Sequence, residues 1–106
     1  MASPGGRDAH LKNLGARVSR ELSNRRADLV VLPELSSIDY SRRAFNQLEA
    51  LSESLDGPSF KVWRAIAREH ATHIAYSFPR RAERGFRISL AVVAPSGNLL
   101  GHYDKL

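Results

Sequence analysis

The sequence predicts an α/β fold, a mixed sheet flanked by helices, from three observations. Leu11, Leu14, Val18 and Leu22 recur at helical spacing near the N-terminus. The run "LVVL" at 29–32 is apolar without alternation, as in a strand covered on both faces. The last part of the chain offers three short extended segments, two of them joined by "PSGN" in the manner of a hairpin.

The elements follow in order. "MASPGG", residues 1–6, reads as a disordered N-terminus, and 7–106 as one domain or less. A helix is expected over 7–24. Its apolar stripe is flanked by Arg and Lys, so it covers a sheet of the same fold rather than lipid. A strand follows over 28–32. Leu32 precedes a proline, which favours extended backbone, and Pro33 has no N–H, so pairing should end there. "SSIDYS" continues as a loop, and 44–55 reads as a second helix. Gly57 breaks that element, and Pro58 suits the first turn of the next. Phe60, Trp63, Ile66 and Ala67 line one face of a helix ending near His70, with Trp63 as a core anchor. Residues 73–78 read as a strand stopped by Pro79, and 87–95 as another. Gly97 can take the positive φ that the next turn requires, and a final strand runs from there to the chain end.

Composition narrows the function. The 106 residues make one domain or less, able to bury about 65% of the unfolded surface. A hydrophobic fraction of 42% and a charged fraction of 25% are those of a globular protein. No apolar run reaches the roughly 18 residues needed to span a membrane, and the N-terminus has no secretory core, so a cytoplasmic location is expected. There is no cysteine, which removes disulfides, thiolate metal sites and a thiol nucleophile from this chain. The four histidines show no metal-ligand spacing, and no cofactor is expected. The net charge is +5, with 13 of the 16 basic residues arginine. These are scattered, in part as the pairs Arg25–Arg26, Arg42–Arg43 and Arg80–Arg81, without a basic run, which argues against nucleic acid as a partner.

One residue carries a chemical question. Glu34 stands just past the carboxyl end of the most apolar run, where sites gather in open α/β sheets. From position alone it is either a solvated turn residue or a carboxylate held for acid–base work.

A second feature bears on the choice. "ADLVVLPELSSIDYS", "LDGPSFKVWRAIAREHATHIAYSFP" and "APSGNLLGHYDKL", taken together and in that order, resemble the nitrilase-type carbon–nitrogen hydrolase superfamily. "LVVLPEL" is similar to the segment carrying that family's glutamate, and "GHYDKL" to the one carrying its lysine. The resemblance implies an α-β-β-α sandwich, here incomplete, commonly paired into a homodimer, and a Glu–Lys–Cys triad that hydrolyses a small amide or nitrile. By motif match Glu34 would be the general base and Lys105 the cation that stabilises the tetrahedral intermediate. Tyr40, in the loop after Glu34, is the weakest candidate, as a wall of the substrate pocket; ordinary packing is the competing reading. The family's cysteine lies beyond its lysine motif, and its leading strand stands where this chain has "MASPGG". The expectation is therefore a hydrolase fragment, inactive alone for want of the nucleophile. The alternative is a small α/β binding or interaction module that keeps the fold without the activity.

Overall fold

The computed structural model describes residues 4–38 and 47–105. Tyr40, the start of the second expected helix and "MAS" lie outside them. Among the described residues, two helices lie against one mixed four-stranded sheet. Helix α1 spans Pro4–Asn24 and strand β1 Leu29–Val31; helix α2 spans Pro58–His70; strands β2 His73–Arg81, β3 Phe86–Val93 and β4 Leu99–Asp104 follow. The strands stand in sequence order, β1 parallel to β2 and the remaining pairs antiparallel. This is the mixed sheet with a closing meander that the sequence predicts.

Both helices pack on one face of the sheet. Leu11 and Leu22 of α1 join Trp63, Ile66 and Ala67 of α2, and these meet Ile74, Tyr76, Phe78, Ala91 and Val93 from the two central strands. Trp63 is fully buried, as an anchor should be. The helices come close at Gly15, where an added Cβ would lie 3.0 Å from Val62 Cγ1. A smaller cluster of Leu35, Ile38, Leu48 and Leu51, with Phe86 and Ile88 against it, seats the loop that follows β1.

Four expectations need correction. Helix α1 starts at Pro4, so residues 4–6 are helical rather than part of a disordered N-terminus. Residues 47–55 contain turns and a single bridge, not a helix. The backbone there is drawn out along β2: Glu53 N–H donates to Pro79 O at 2.9 Å and Arg81 N–H to Glu53 O at 2.8 Å. Pro79 does not end β2, which continues to Arg81. These two bonds put the backbone polar groups of Pro79 on the side away from β3, so the proline removes no bond from the central ladder. Finally, β1 is not covered on both faces. Val30 is half-buried under the helices, but Leu29 and Val31 are 54% and 68% exposed. Leu90, Leu100 and Tyr103 are also exposed, so one sheet face carries an open apolar surface.

Candidate active site

The site is built where β1 and β4 end. Leu32 N–H donates to Ala75 O at 2.9 Å, which extends the pairing of β1 by one residue before Pro33 stops it. Glu34 follows at once. Leu35 takes φ 54°, a left-handed conformation that is strained for a side chain with a Cβ. The turn is fixed on β2: Ser36 Oγ donates to Ser77 O at 3.2 Å and Ser77 N–H donates to Ser36 Oγ at 3.3 Å. A buried Leu35 under this lattice directs the chain away from β1 and leaves Glu34 at the surface. At the other end of the sheet, Lys105 N–H donates to Ile88 O at 2.7 Å, so the antiparallel pairing of β4 on β3 persists one residue past the strand.

The two ends meet. Lys105 Nζ donates to Glu34 Oε1 at 2.7 Å. Leu32, Ser77, Ile88, Ser89, Leu90 and Tyr103 surround the pair and form a shallow pocket of about 200 Å³. Ser77, Leu90 and Tyr103 stand opposite one another across β2, β3 and β4, so the pocket floor lies on the open sheet face. The pair stays partly wet, with side-chain exposures of 63% for Lys105 and 42% for Glu34. A carboxylate beside an ammonium, bordered by apolar wall, offers one group that exchanges a proton and one fixed positive charge.

Asp104, immediately before Lys105, is held on the opposite face. Arg80 grips its carboxylate with both arms of the guanidinium, Nε to Oδ1 at 3.1 Å and Nη2 to Oδ2 at 2.6 Å. Ser89 Oγ donates to Oδ1 as well. These hydrogen bonds, Arg80's first and Ser89's second, hold the Asp104 carboxyl down to about 2. Arg81 donates to Ser52 O at 3.3 Å, so the Arg80–Arg81 pair serves the fold rather than a free basic patch.

Glu53 is the other carboxylate of note. It is 2% exposed and sits at the N-terminus of α2, accepting from Ser59 N–H at 2.6 Å and from Ser59 Oγ at 2.9 Å. Gly57, the N-cap, has no side chain to do this, and the first turn holds no acidic residue. Burial pushes the Glu53 carboxyl up, against the Ser59 hydrogen bonds and the nearby Arg7, which pull it down. Sequence reasoning missed Glu53, Arg80, Ser89 and Asp104. For Glu53 a signal existed: a helix beginning Gly-Pro needs a cap from elsewhere. For the Arg80–Asp104 pair none did, because their separation of 24 residues means nothing until β2, β3 and β4 are laid side by side.

The carbon–nitrogen hydrolase family model matches residues 8–106. The chain belongs to the carbon–nitrogen hydrolase family. Among curated proteins, a hydrolase encoded in the pqqF 5′ region of Pseudomonas protegens is 35% identical over 80 residues, which are 74% of this chain and 28% of that protein. Among solved structures, an N-terminal amidase superposes with a TM-score of 0.77 at 22% identity, over 95% of this chain and 25% of the amidase. A carbon–nitrogen hydrolase from Helicobacter pylori gives 0.74 at 21%, over 98% of this chain and 36% of that one. A carbon–nitrogen hydrolase superfamily protein from Xanthomonas campestris, solved with an arsenic adduct in its active site, gives 0.67 at 28%, over 97% of this chain and 35% of that one. This carbon–nitrogen hydrolase chain thus spans about a quarter to a third of the length of these relatives. It carries no cysteine among its 106 residues and so holds no thiol of its own.

Proposed function

We propose that this chain supplies the acid–base and electrostatic part of a carbon–nitrogen hydrolase site, and that the thiol comes from polypeptide outside these residues. The contact of Lys105 with Glu34 is the observation that carries the reading. Glu34 is the general base: it takes the proton from the thiol as sulfur bonds to the carbon of a small amide or nitrile. On the amide path it returns that proton to the departing nitrogen as the C–N bond breaks; on the nitrile path the proton goes to the nitrile nitrogen to give a thioimidate, from which a first water displaces ammonia. Lys105 keeps a positive charge beside the oxygen that becomes anionic in the tetrahedral intermediate. Water then releases the acyl group from sulfur. The open apolar face beside the pair is the surface against which the remainder of such a domain, or a second copy of the chain in a homodimer, packs. Tyr40, outside the described residues, keeps its place as a candidate pocket wall. The setting proposed for this chemistry is the cytoplasm; no described helix is long and apolar enough to cross a membrane.

A hybrid tests the reading. Residues 8–106 replace the matching segment of a carbon–nitrogen hydrolase of measured activity. The hybrid should hydrolyse the parent's amide substrate, and Glu34→Gln or Lys105→Met should each lower kcat about 100-fold or more. The 106-residue chain alone should give no turnover. A hybrid that keeps full activity with Glu34→Gln would refute the assignment. A folded but inactive hybrid, with the chain itself a well-behaved monomer, would favour the binding-module alternative.

A further inference from the structure

The observation is how Lys105 comes to stand where it does. Lysine has a long flexible stem, and a residue just past the last strand of a sheet is poorly placed to hold a fixed charge. Here the residue before it is clamped. Asp104 receives both arms of Arg80 and the hydroxyl of Ser89, three donors on one carboxylate. Arg80 itself sits on a stiff part of β2. Its neighbours Pro79 and Arg81 are bonded to Glu53 on one side, and Arg80 pairs with Arg87 of β3 on the other. Ser89 is buried in β3, directly opposite Asp104.

Strand alternation converts this clamp into a position for Lys105. Phe78, Ser89 and Asp104 align across the sheet on the face that carries the helix-packed core. Ser77, Leu90 and Tyr103 align on the opposite face. Successive residues of an extended chain point to opposite faces. Fixing Asp104 on the helix face therefore sends Lys105 to the open face, on the same side as the pocket. The bond from Lys105 N–H to Ile88 O at 2.7 Å sets its height along β3.

We propose that Arg80, Ser89 and Asp104 form a positioning clamp that holds the end of β4 and thereby fixes the Lys105 ammonium against Glu34. Arg80 and Asp104 do not line the pocket, and Ser89 borders it with its hydroxyl committed to Asp104; the three act through the backbone of Lys105. The proposal rests on the Glu34–Lys105 pairing and deepens it: the precision of the cation is set on the far side of the sheet.

The test is carbon-detected NMR titration of the Glu34 side-chain carboxyl in the full chain. Lys105→Met removes the neighbouring cation and should raise the Glu34 midpoint. Asp104→Asn separates the proposal from simple electrostatics. Deleting a negative charge nearby would by itself lower the Glu34 midpoint, whereas freeing Lys105 raises it. The expected result is a rise of at least half that caused by Lys105→Met, with the core amide shifts of α1 and α2 unchanged. Exchanging the partners, Arg80→Asp with Asp104→Arg, should restore the original midpoint at least in part. In the hybrid enzyme, Asp104→Asn should lower kcat about tenfold with KM within twofold. If Lys105→Met leaves the Glu34 midpoint unmoved, the underlying pairing is wrong and the proposal falls with it. If Lys105→Met moves it and Asp104→Asn does not, or lowers it, the clamp alone is overturned.

Discussion

Lys105 and Glu34 stand 71 residues apart in the chain and 2.7 Å apart in space. Glu34 lies three residues beyond β1 and Lys105 one beyond β4, so the whole sheet serves as the spacer between them. Their exposures of 63% and 42% limit what the contact adds to folding. A solvated ion pair contributes roughly 0–1 kcal/mol. Glu34→Gln and Lys105→Met should therefore each change the unfolding free energy of the chain by less than about 1 kcal/mol in urea denaturation. A loss above about 2 kcal/mol would show that the pair is a structural brace rather than a site.

The buried Glu53 should leave a signature in the pH dependence of stability. Its carboxyl is pushed up by burial from an ordinary value of 4.5, so the folded chain holds that proton more tightly than the unfolded one. The contribution is complete below the unfolded value and is lost as pH rises through the folded one. Glu53→Gln should flatten the fall in Tm across this interval. Glu53→Ala should cost about 1–3 kcal/mol, because the buried Ser59 N–H and hydroxyl lose their acceptors. Thermal melts from pH 4 to pH 8 read both effects. A Glu53→Gln curve parallel to the parent's would contradict the assignment.

Asp104 works in the other direction. Arg80 and Ser89 hold its carboxyl down from 3.8 to about 2. A depressed carboxyl stabilises the fold above its unfolded value, and the contribution disappears as pH falls through the folded one. Stability should therefore drop between about pH 4 and pH 2, and Asp104→Asn should remove that part of the acid limb. Direct titration of the Asp104 carboxyl by NMR should place its midpoint near the low end of this window. A midpoint at the ordinary value would mean that the Arg80 grip does not exist in solution.

The open sheet face should make the chain self-associate. Leu29, Val31, Leu90, Leu100 and Tyr103 are 41–68% exposed, a run of apolar surface beside the pocket. Sedimentation velocity should show concentration-dependent association of the parent chain. A Val31→Lys, Leu100→Lys double variant should sediment as a monomer with an unchanged far-ultraviolet spectrum. A parent chain that stays monomeric at high concentration would show that this surface is tolerated bare.

Much of the architecture is legible before folding. The 3.6-residue stripe from Leu11 to Leu22 places α1, and the Gly57–Pro58 start with Trp63 and Ile66 places α2. The Pro-Ser-Gly-Asn turn, with Gly97 at φ 88°, joins β3 to β4 as its composition requires. Glu34 and Lys105 are legible only through the resemblance of their two short motifs to a family, since neither motif signals a contact by its own chemistry. The failures share a cause. Residues 47–55 have helical propensity, but buried pairing of Glu53 with β2 outweighs it, and Pro79 is tolerated because its backbone polar groups face away from β3.

What the sequence determined by itself is therefore local. Periodicity and turn chemistry act between residues a few positions apart, and they set the helices, the hairpin and the strand that delivers Glu34. The tertiary structure decided what meets across the sheet: Glu34 with Lys105, Arg80 with Asp104, Glu53 with Ser59 at the head of α2. It also decided which apolar residues stay uncovered, since a sheet with both helices on one face leaves Val31 and Leu100 open whatever their hydropathy. Register is the physical reason. A shift of one residue in β4 would exchange Asp104 and Lys105 between faces and dissolve both the clamp and the pair.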